Sequence, residues 1–205
     1  MVCRLVWYAG KKKECKKMRV IAGQAKGIPL KAVPGIQTRP TGDKVKESVF
    51  NIIGPFFDGG TAIDLFAGSG GLGIEALSRG CEAAIFIDKS RKATETIQAN
   101  LEKSRLSDGA QVYRTDAKKA ISVMAKKGIK GHLLFLDPPY KDTAAYDLLD
   151  AAAESGVLTE NAIAVCEHDK EVKLPDETVF FKLIKSSAYG STIISIFRRK
   201  EIEEA

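Results

Sequence analysis

The sequence predicts an α/β fold: a mostly parallel, seven-stranded sheet covered by helices on both faces and finished by an antiparallel hairpin. Three observations carry that expectation. Short, nearly all-apolar segments at 62–65, 84–88, 111–114, 133–136 and 162–167 alternate with stretches of helical spacing, which is the pattern of a doubly covered parallel sheet. The last two β-rich segments, 178–184 and 191–198, have no helix between them and meet through Ala188-Tyr189-Gly190, so they pair antiparallel. Between the first strand and the first helix of the series stands a glycine-rich turn, Gly68-Ser-Gly70-Gly71-Leu-Gly73.

Taken in order, residues 1–17 carry six basic side chains against Glu14 alone and have no patterned apolar face, so they form a basic extension, either disordered or upstream of the true start. Residues 18–55 form an N-terminal arm and a helix that packs one face onto the main body. Gly23, Gly27, Pro29, Pro34 and Gly35 suit a small hairpin or extended arm over 19–36. Thr41 then caps a helix whose Val45, Val49, Ile52 and Ile53 fall on one face, and Gly54-Pro55 ends it. Residues 56–200 make the sheet domain, with helices from Gly71, from Ser90 to about Lys103, from Ala117 and around 144–154; residues 201–205 are a tail.

A chain of 205 residues buries an adequate core in one domain without metal or disulfides. The hydrophobic fraction of 44% contains no apolar run of the roughly 20 residues that a membrane span needs. Charges follow the short N-terminal apolar stretch, the reverse of a secretory signal. Cys3, Cys15, Cys81 and Cys166 are scattered and the histidines are only His132 and His168, so neither a zinc site nor a disulfide framework is encoded. Buried free thiols at Cys81 and Cys166 and a reducing cytoplasm are the expectation. The net charge of +6 is concentrated before residue 54, and the remainder is net acidic, so the overall charge argues for nucleic acid only through the local basic arm.

The chemistry lies at the strand ends. In Asp64-Leu-Phe66-Ala-Gly68-Ser69-Gly70-Gly71-Leu-Gly73, glycines let the backbone approach a ligand near a helix N-terminus, and Asp88, 20 residues after Gly68, ends the next strand where a carboxylate accepts from ribose hydroxyls. A nucleoside cofactor is implied, and these residues alone fit NAD as well as S-adenosylmethionine. Asp116-Ala117, after the third strand, is placed for an adenine amine or for capping the next helix. Asp64 is placed for the cofactor's ammonium group or for loop amides. The discriminating element is Asp137-Pro138-Pro139-Tyr140, directly after a buried strand. Two prolines remove two amide donors and fix φ, leaving an acceptor-rich corner. Asp137 and the Pro138 carbonyl suit the two N–H donors of an exocyclic amine, and Tyr140 can stack on its base.

The glycine loop combined with Asp137-Pro138-Pro139-Tyr140 resembles the amino-methyltransferases that carry a (D/N)-P-P-(Y/F) motif, whose class I, Rossmann-like sheet ends in such a hairpin. More narrowly, Met18-Arg-Val-Ile-Ala-Gly, Arg39-Pro-Thr-Gly-Asp-Lys-Val-Lys-Glu-Ser-Val-Phe-Asn51, and Asp64-Leu-Phe-Ala-Gly-Ser-Gly with Gly73-Ile-Glu-Ala-Leu-Ser-Arg-Gly80 resemble the bacterial RsmD family over residues 18 to about 199. That resemblance implies an enzyme that moves the methyl group of S-adenosylmethionine to N2 of a guanine in 16S rRNA, within a small-subunit assembly particle, with no membrane and no metal partner. It implies cofactor contacts at Arg39, Thr41, Asp64, Phe66, Gly68, Ser69, Gly70, Gly73, Asp88, Asp116 and Ala117. RNA contacts are implied at Arg19, Lys26 and Lys31, which places the arm and helix of 18–55 for rRNA and cofactor contacts, and catalysis is implied at Asp137 to Tyr140. Asp88 stands where the family often has glutamate, and residues 1–17 have no counterpart in it.

Three rival readings share some of these features. The tetrad would serve an adenine-N6 or cytosine-N4 methyltransferase, but no separate target-recognition domain is evident. A non-catalytic assembly factor has no need of an acceptor pair aimed at an amine. An NAD-linked dehydrogenase lacks a catalytic histidine, lysine or tyrosine set near a second domain.

Overall fold

The computed structural model describes residues 18–35, 42–139 and 146–201. Helix α1 (Asp43–Ile53) precedes an alternating body of β1 (Thr61–Asp64), α2 (Gly71–Ser78), β2 (Ala83–Asp88), α3 (Arg91–Ser104), β3 (Ala110–Arg114), α4 (Ala117–Lys126), β4 (Gly131–Leu136), α5 (Leu148–Glu154) and β5 (Leu158–Asp169). The tail adds β6 (Phe181–Tyr189) and β7 (Thr192–Arg199). One seven-stranded sheet results, in the order β3-β2-β1-β4-β5-β7-β6. Strands β1 to β5 pair in parallel, and β7 runs antiparallel between β5 and β6. Chain order reverses between β1 and β4, so their carboxyl ends flank the switch point at which open α/β sheets bind ligands.

Side-chain alternation divides the core between the two faces of the sheet. Ala62, Phe86, Phe135 and Val165 pack under α1, α2 and α3, whereas Ile63, Ile85, Leu134 and Cys166 pack under α4 and α5. The arm is a small hairpin: Arg19 bridges Pro29, the Val20 amide donates to the Ile28 carbonyl, and the Leu30 amide donates to Met18. Met18, Val20, Ala25 and Leu30 belong to the first of these cores, so the arm is packed onto the sheet domain rather than appended to it.

Charged residues fix that packing. The Glu75 carboxylate of α2 is fully buried and accepts from the Ile21 amide at 2.8 Å, the Ala22 amide at 3.0 Å, Arg79 Nε at 2.8 Å and Lys46 Nζ at 3.4 Å. Lys46 Nζ also donates to the Arg19 carbonyl, and Arg79 lies over the Phe50 ring while donating to the Pro55 carbonyl. Arm, α1 and α2 therefore share one buried ionic centre.

Several local expectations are corrected. The α1 N-cap is Gly42, with Thr41 outside the described residues, and the buried face of α1 carries Lys46, Val49, Phe50 and Ile53, while Ile52 is exposed. The expected strand at 178–184 begins instead at Phe181. Asp150 of α5 accepts from the Thr178 hydroxyl and from the amides of Val179 and Phe180, and thereby holds that stretch as a turn. Ala188 and Tyr189 lie inside β6, with Tyr189 opposite Thr192, so the hairpin turn is Gly190-Ser191, where Gly190 takes φ 68°. The helix expected around 144–154 is described from Leu148, preceded by a tight turn at 146–147.

Cys81 and Cys166 are buried and free, and burial pushes both thiols up to about 12. Among the described residues no helix is long and apolar enough to cross a membrane, and no side-chain cluster has the make-up of a metal site.

Candidate active site

The glycine loop runs from Asp64 at the end of β1 to Gly70, the N-cap of α2. Gly68 and Gly70 take φ of 52° and 81°, values that side-chain-bearing residues rarely adopt. Gly73 answers a packing demand, since a Cβ there would lie 2.4 Å from the Phe86 ring of β2. The Met18 sulfur rests 3.4 Å from Ser69 Oγ, and Phe66 is half-buried beside the loop. Behind the loop, the buried Asn100 of α3 donates to the carbonyls of Ser69 and Lys31 and accepts from the Lys31 amide at 2.7 Å. One carboxamide thus links the loop to the arm.

Asp88, Asp116 and Asp64 are each already engaged within the protein. Asp88 accepts from the Gly68 amide at 2.9 Å and the Ser90 amide at 2.7 Å. One lone pair on each oxygen remains for a ligand. Asp116 caps α4 through the amides of Lys118 and Lys119 and pairs with Lys89 at 2.8 Å; the Lys89 hydrogen bond, above all, holds its carboxyl below the usual range. The cap of α4 is thus one role of Asp116, and Ala117 is buried in the core. Asp64 is buried, and burial pushes its carboxyl up to about 7, against the amides of Phe66 and Gly73 and with the Asp88 charge adding to the rise.

Across the switch point, Asp137 follows β4, with Pro138 buried and Pro139 exposed. Asp137 is held well above the ordinary carboxylate range by desolvation, then by the charges of Glu167 and Asp64. Glu167, near the end of β5, is buried and was not singled out from the sequence. Its signal was a carboxylate closing the strand that follows the proline motif.

The structure therefore brings together the glycine loop, Asp64, Asp88 and Asp137. It does not bring the basic arm residues to the same place. Arg19 is ion-paired with Asp43, and Lys26 lies on the hairpin tip, which rests on Ser78 at the far end of α2. Only Lys31 adjoins the loop, through Asn100. Arg39, Thr41 and Tyr140 lie outside the described residues.

The family model described as conserved hypothetical protein 95 matches residues 18–198. Ribosomal RNA small subunit methyltransferase D of Escherichia coli K12 is 30% identical over 186 residues, covering 90% of this chain and 91% of that protein. The chain belongs to the RsmD family. YlbH of Bacillus subtilis, named a putative rRNA methyltransferase, shares 51% identity with this RsmD-family chain over 185 residues, which is 89% of this chain and all of YlbH. The solved structure of Escherichia coli yhhF, described as a putative methyltransferase, superposes with a TM-score of 0.75 at 30% identity over 90% of this chain and 99% of that one. The sheet order, with its antiparallel end, is that of class I methyltransferases.

Proposed function

We propose that this RsmD-family chain is an S-adenosylmethionine-dependent methyltransferase acting on N2 of a guanine in 16S rRNA. The observation that carries the proposal is the meeting, at one switch point, of a glycine loop with a half-buried carboxylate in a proline-fixed turn. Family membership and the printed name of the Escherichia coli relative support ribosomal RNA as substrate. The residues fit the cofactor: left-handed glycines open the loop, Asp88 faces it with free lone pairs, and crowded carboxylates favour a cation. When bound, S-adenosylmethionine supplies an electrophilic methyl group on a sulfonium sulfur.

Asp64 would hold the ammonium group of the cofactor's amino-acid end and Asp88 its ribose, with the loop from Phe66 through Gly68, Ser69 and Gly70 to Gly73 closing around the nucleoside. Asp137 and the Pro138 carbonyl would accept from the target amine, turn its lone pair toward the methyl group, and stabilise the positive charge that develops on nitrogen. The base is exposed most cheaply in a loop, where less stacking is lost.

The test is nucleoside mass spectrometry of 16S rRNA from a deletion strain, before and after incubation with the purified protein and S-adenosylmethionine. Recovery of N2-methylguanosine alone is expected. N6-methyladenosine or N4-methylcytidine in its place would move the chain to a rival chemistry.

The elevated carboxyl of Asp64 gives a second expectation. The free protein holds a proton there below about pH 7, and the ammonium group of the cofactor favours the ionised form, so binding must expel that proton. Affinity for S-adenosylhomocysteine should therefore be level above pH 7.5 and about tenfold weaker at pH 6, with proton release seen as a binding enthalpy that varies with the buffer's ionisation enthalpy. Asp64→Asn should flatten the profile. Calorimetric affinity unchanged between pH 6 and 8 in the wild type would remove Asp64 from the ammonium site.

A further inference from the structure

Three strands deliver a carboxylate to the same corner. Asp64 comes two residues after Ala62, Asp137 two after Phe135 and Glu167 two after Val165, and Ala62, Phe135 and Val165 all pack on the sheet face under α1, α2 and α3. Side chains two apart share a face. Strands β1, β4 and β5 are consecutive neighbours, with Asp64 in register with Phe135 and Leu136 with Cys166, so Asp137 and Glu167 stand side by side one step further on. Adjacent strands lie about 4.8 Å apart. Glu167 is buried, and its charge acts on Asp137. The Tyr146 hydroxyl donates to its backbone carbonyl at 2.8 Å, which fixes the end of β5.

We infer that Glu167 is the residue that selects guanine, by accepting a hydrogen bond from N1–H of the base while Asp137 and the Pro138 carbonyl hold the N2 amine. This rests on the guanine-N2 reading above and deepens it. The argument is one of donor pattern. Beside its exocyclic amine guanine carries a second donor, N1–H. Adenine and cytosine carry an acceptor there, N1 or N3. A single carboxylate accepts from the amine of any of the three bases, which is why the proline motif alone does not discriminate. The two donors of guanine favour the ionised form of both groups, and two neighbouring carboxylates then form an acceptor–acceptor edge that matches guanine and sets a carboxylate against the ring-nitrogen lone pair of the other two. Leaving buried polar groups mismatched in this way discriminates more strongly than a small difference in apolar size does.

The test uses 2-aminopurine, which keeps the N2 amine and lacks N1–H. Small-subunit RNA is assembled by ligation with either guanosine or 2-aminopurine at the nucleotide the wild-type protein methylates, and kcat/KM is measured for each RNA with wild type and Glu167→Gln. Wild type should prefer guanosine by on the order of 10²-fold. In Glu167→Gln the amide can donate to the bare N1, so the guanosine rate should fall and the preference collapse to within about threefold. Loss of O6 in 2-aminopurine affects both proteins alike, and so does any loss of folded enzyme, because the ratio compares two substrates of the same preparation. An unchanged ratio in Glu167→Gln, at whatever absolute rate, overturns the role of Glu167. Equal use of the two RNAs by wild type overturns it as well. If the nucleotide that the wild type methylates proves to be an adenosine or a cytidine, the guanine reading itself falls and this inference with it.

Discussion

Replacing Asp137 with alanine should lower single-turnover methylation by on the order of 10²–10³ at saturating S-adenosylmethionine, the usual cost of losing one preorganised electrostatic partner. Asparagine keeps an acceptor oxygen without the charge and should retain partial activity. The crowding around Asp137 sharpens the test. Its carboxyl is held well above the ordinary range by desolvation and by Glu167 and Asp64, so its ionised form is strained in the free protein. The sign follows: the folded chain binds this proton more tightly than the unfolded chain does, and stability declines as pH rises above the unfolded carboxylate range. Asparagine should relieve that repulsion, so the variant should melt at or above the wild-type temperature at pH 8 while methylating more slowly. A residue that merely pinned the proline turn would behave differently, with stability, cofactor affinity and rate all falling together in both variants. Near wild-type turnover in Asp137→Ala would end the catalytic assignment.

The largest effect on stability is expected at Glu75. Its carboxylate accepts four hydrogen bonds in a fully buried position, two from arm amides and one each from Lys46 and Arg79. Burial already drives the Lys46 ammonium below its ordinary value, with Glu75 opposing the shift. Removing the carboxylate in Glu75→Ala strands two buried cations and two amides, and breaking a buried ionic centre from one side costs about 3–5 kcal/mol. In a chain of this size that corresponds to a melting temperature lower by roughly 6–20 °C. Because the arm carries Met18 onto the glycine loop, cofactor affinity should weaken as well. Denaturant titration showing a loss below 1 kcal/mol would mean that water or a shifted side chain replaces the carboxylate.

How much of this was legible in advance depended on whether the signal was local. The glycine loop and the proline turn are each written in a few consecutive residues whose backbone chemistry admits few alternatives, so the switch point could be located from sequence. Strand ends that depend on distant partners could not. The stretch 178–180 has β propensity, and it is the Asp150 carboxylate, 28 residues earlier, that makes it a turn. Lys46 reads as a solvated lysine until Glu75 is placed against it, and Ile52 reads as core although periodicity in so short a helix leaves room for Phe50 instead. Glu167 escaped notice because its meaning is its register. Nothing within its own strand indicates that Asp137 stands beside it.

The order of the strands also sets the order in which this corner is made. As the chain leaves the ribosome, β1, β2 and β3 can pair at once, and the glycine loop with Asp64 and Asp88 is complete before Asp137 has been synthesised. The side that carries Asp137 and Glu167 comes later, since β5 has β4 on one side and, on the other, β7, the last of the described strands in chain order. Until β7 slots between β5 and β6, the strand bearing Glu167 is an open edge. On the proposed reading, a nascent chain acquires its place for a nucleoside well before it can hold an amine beside it, because the second of these waits on β7.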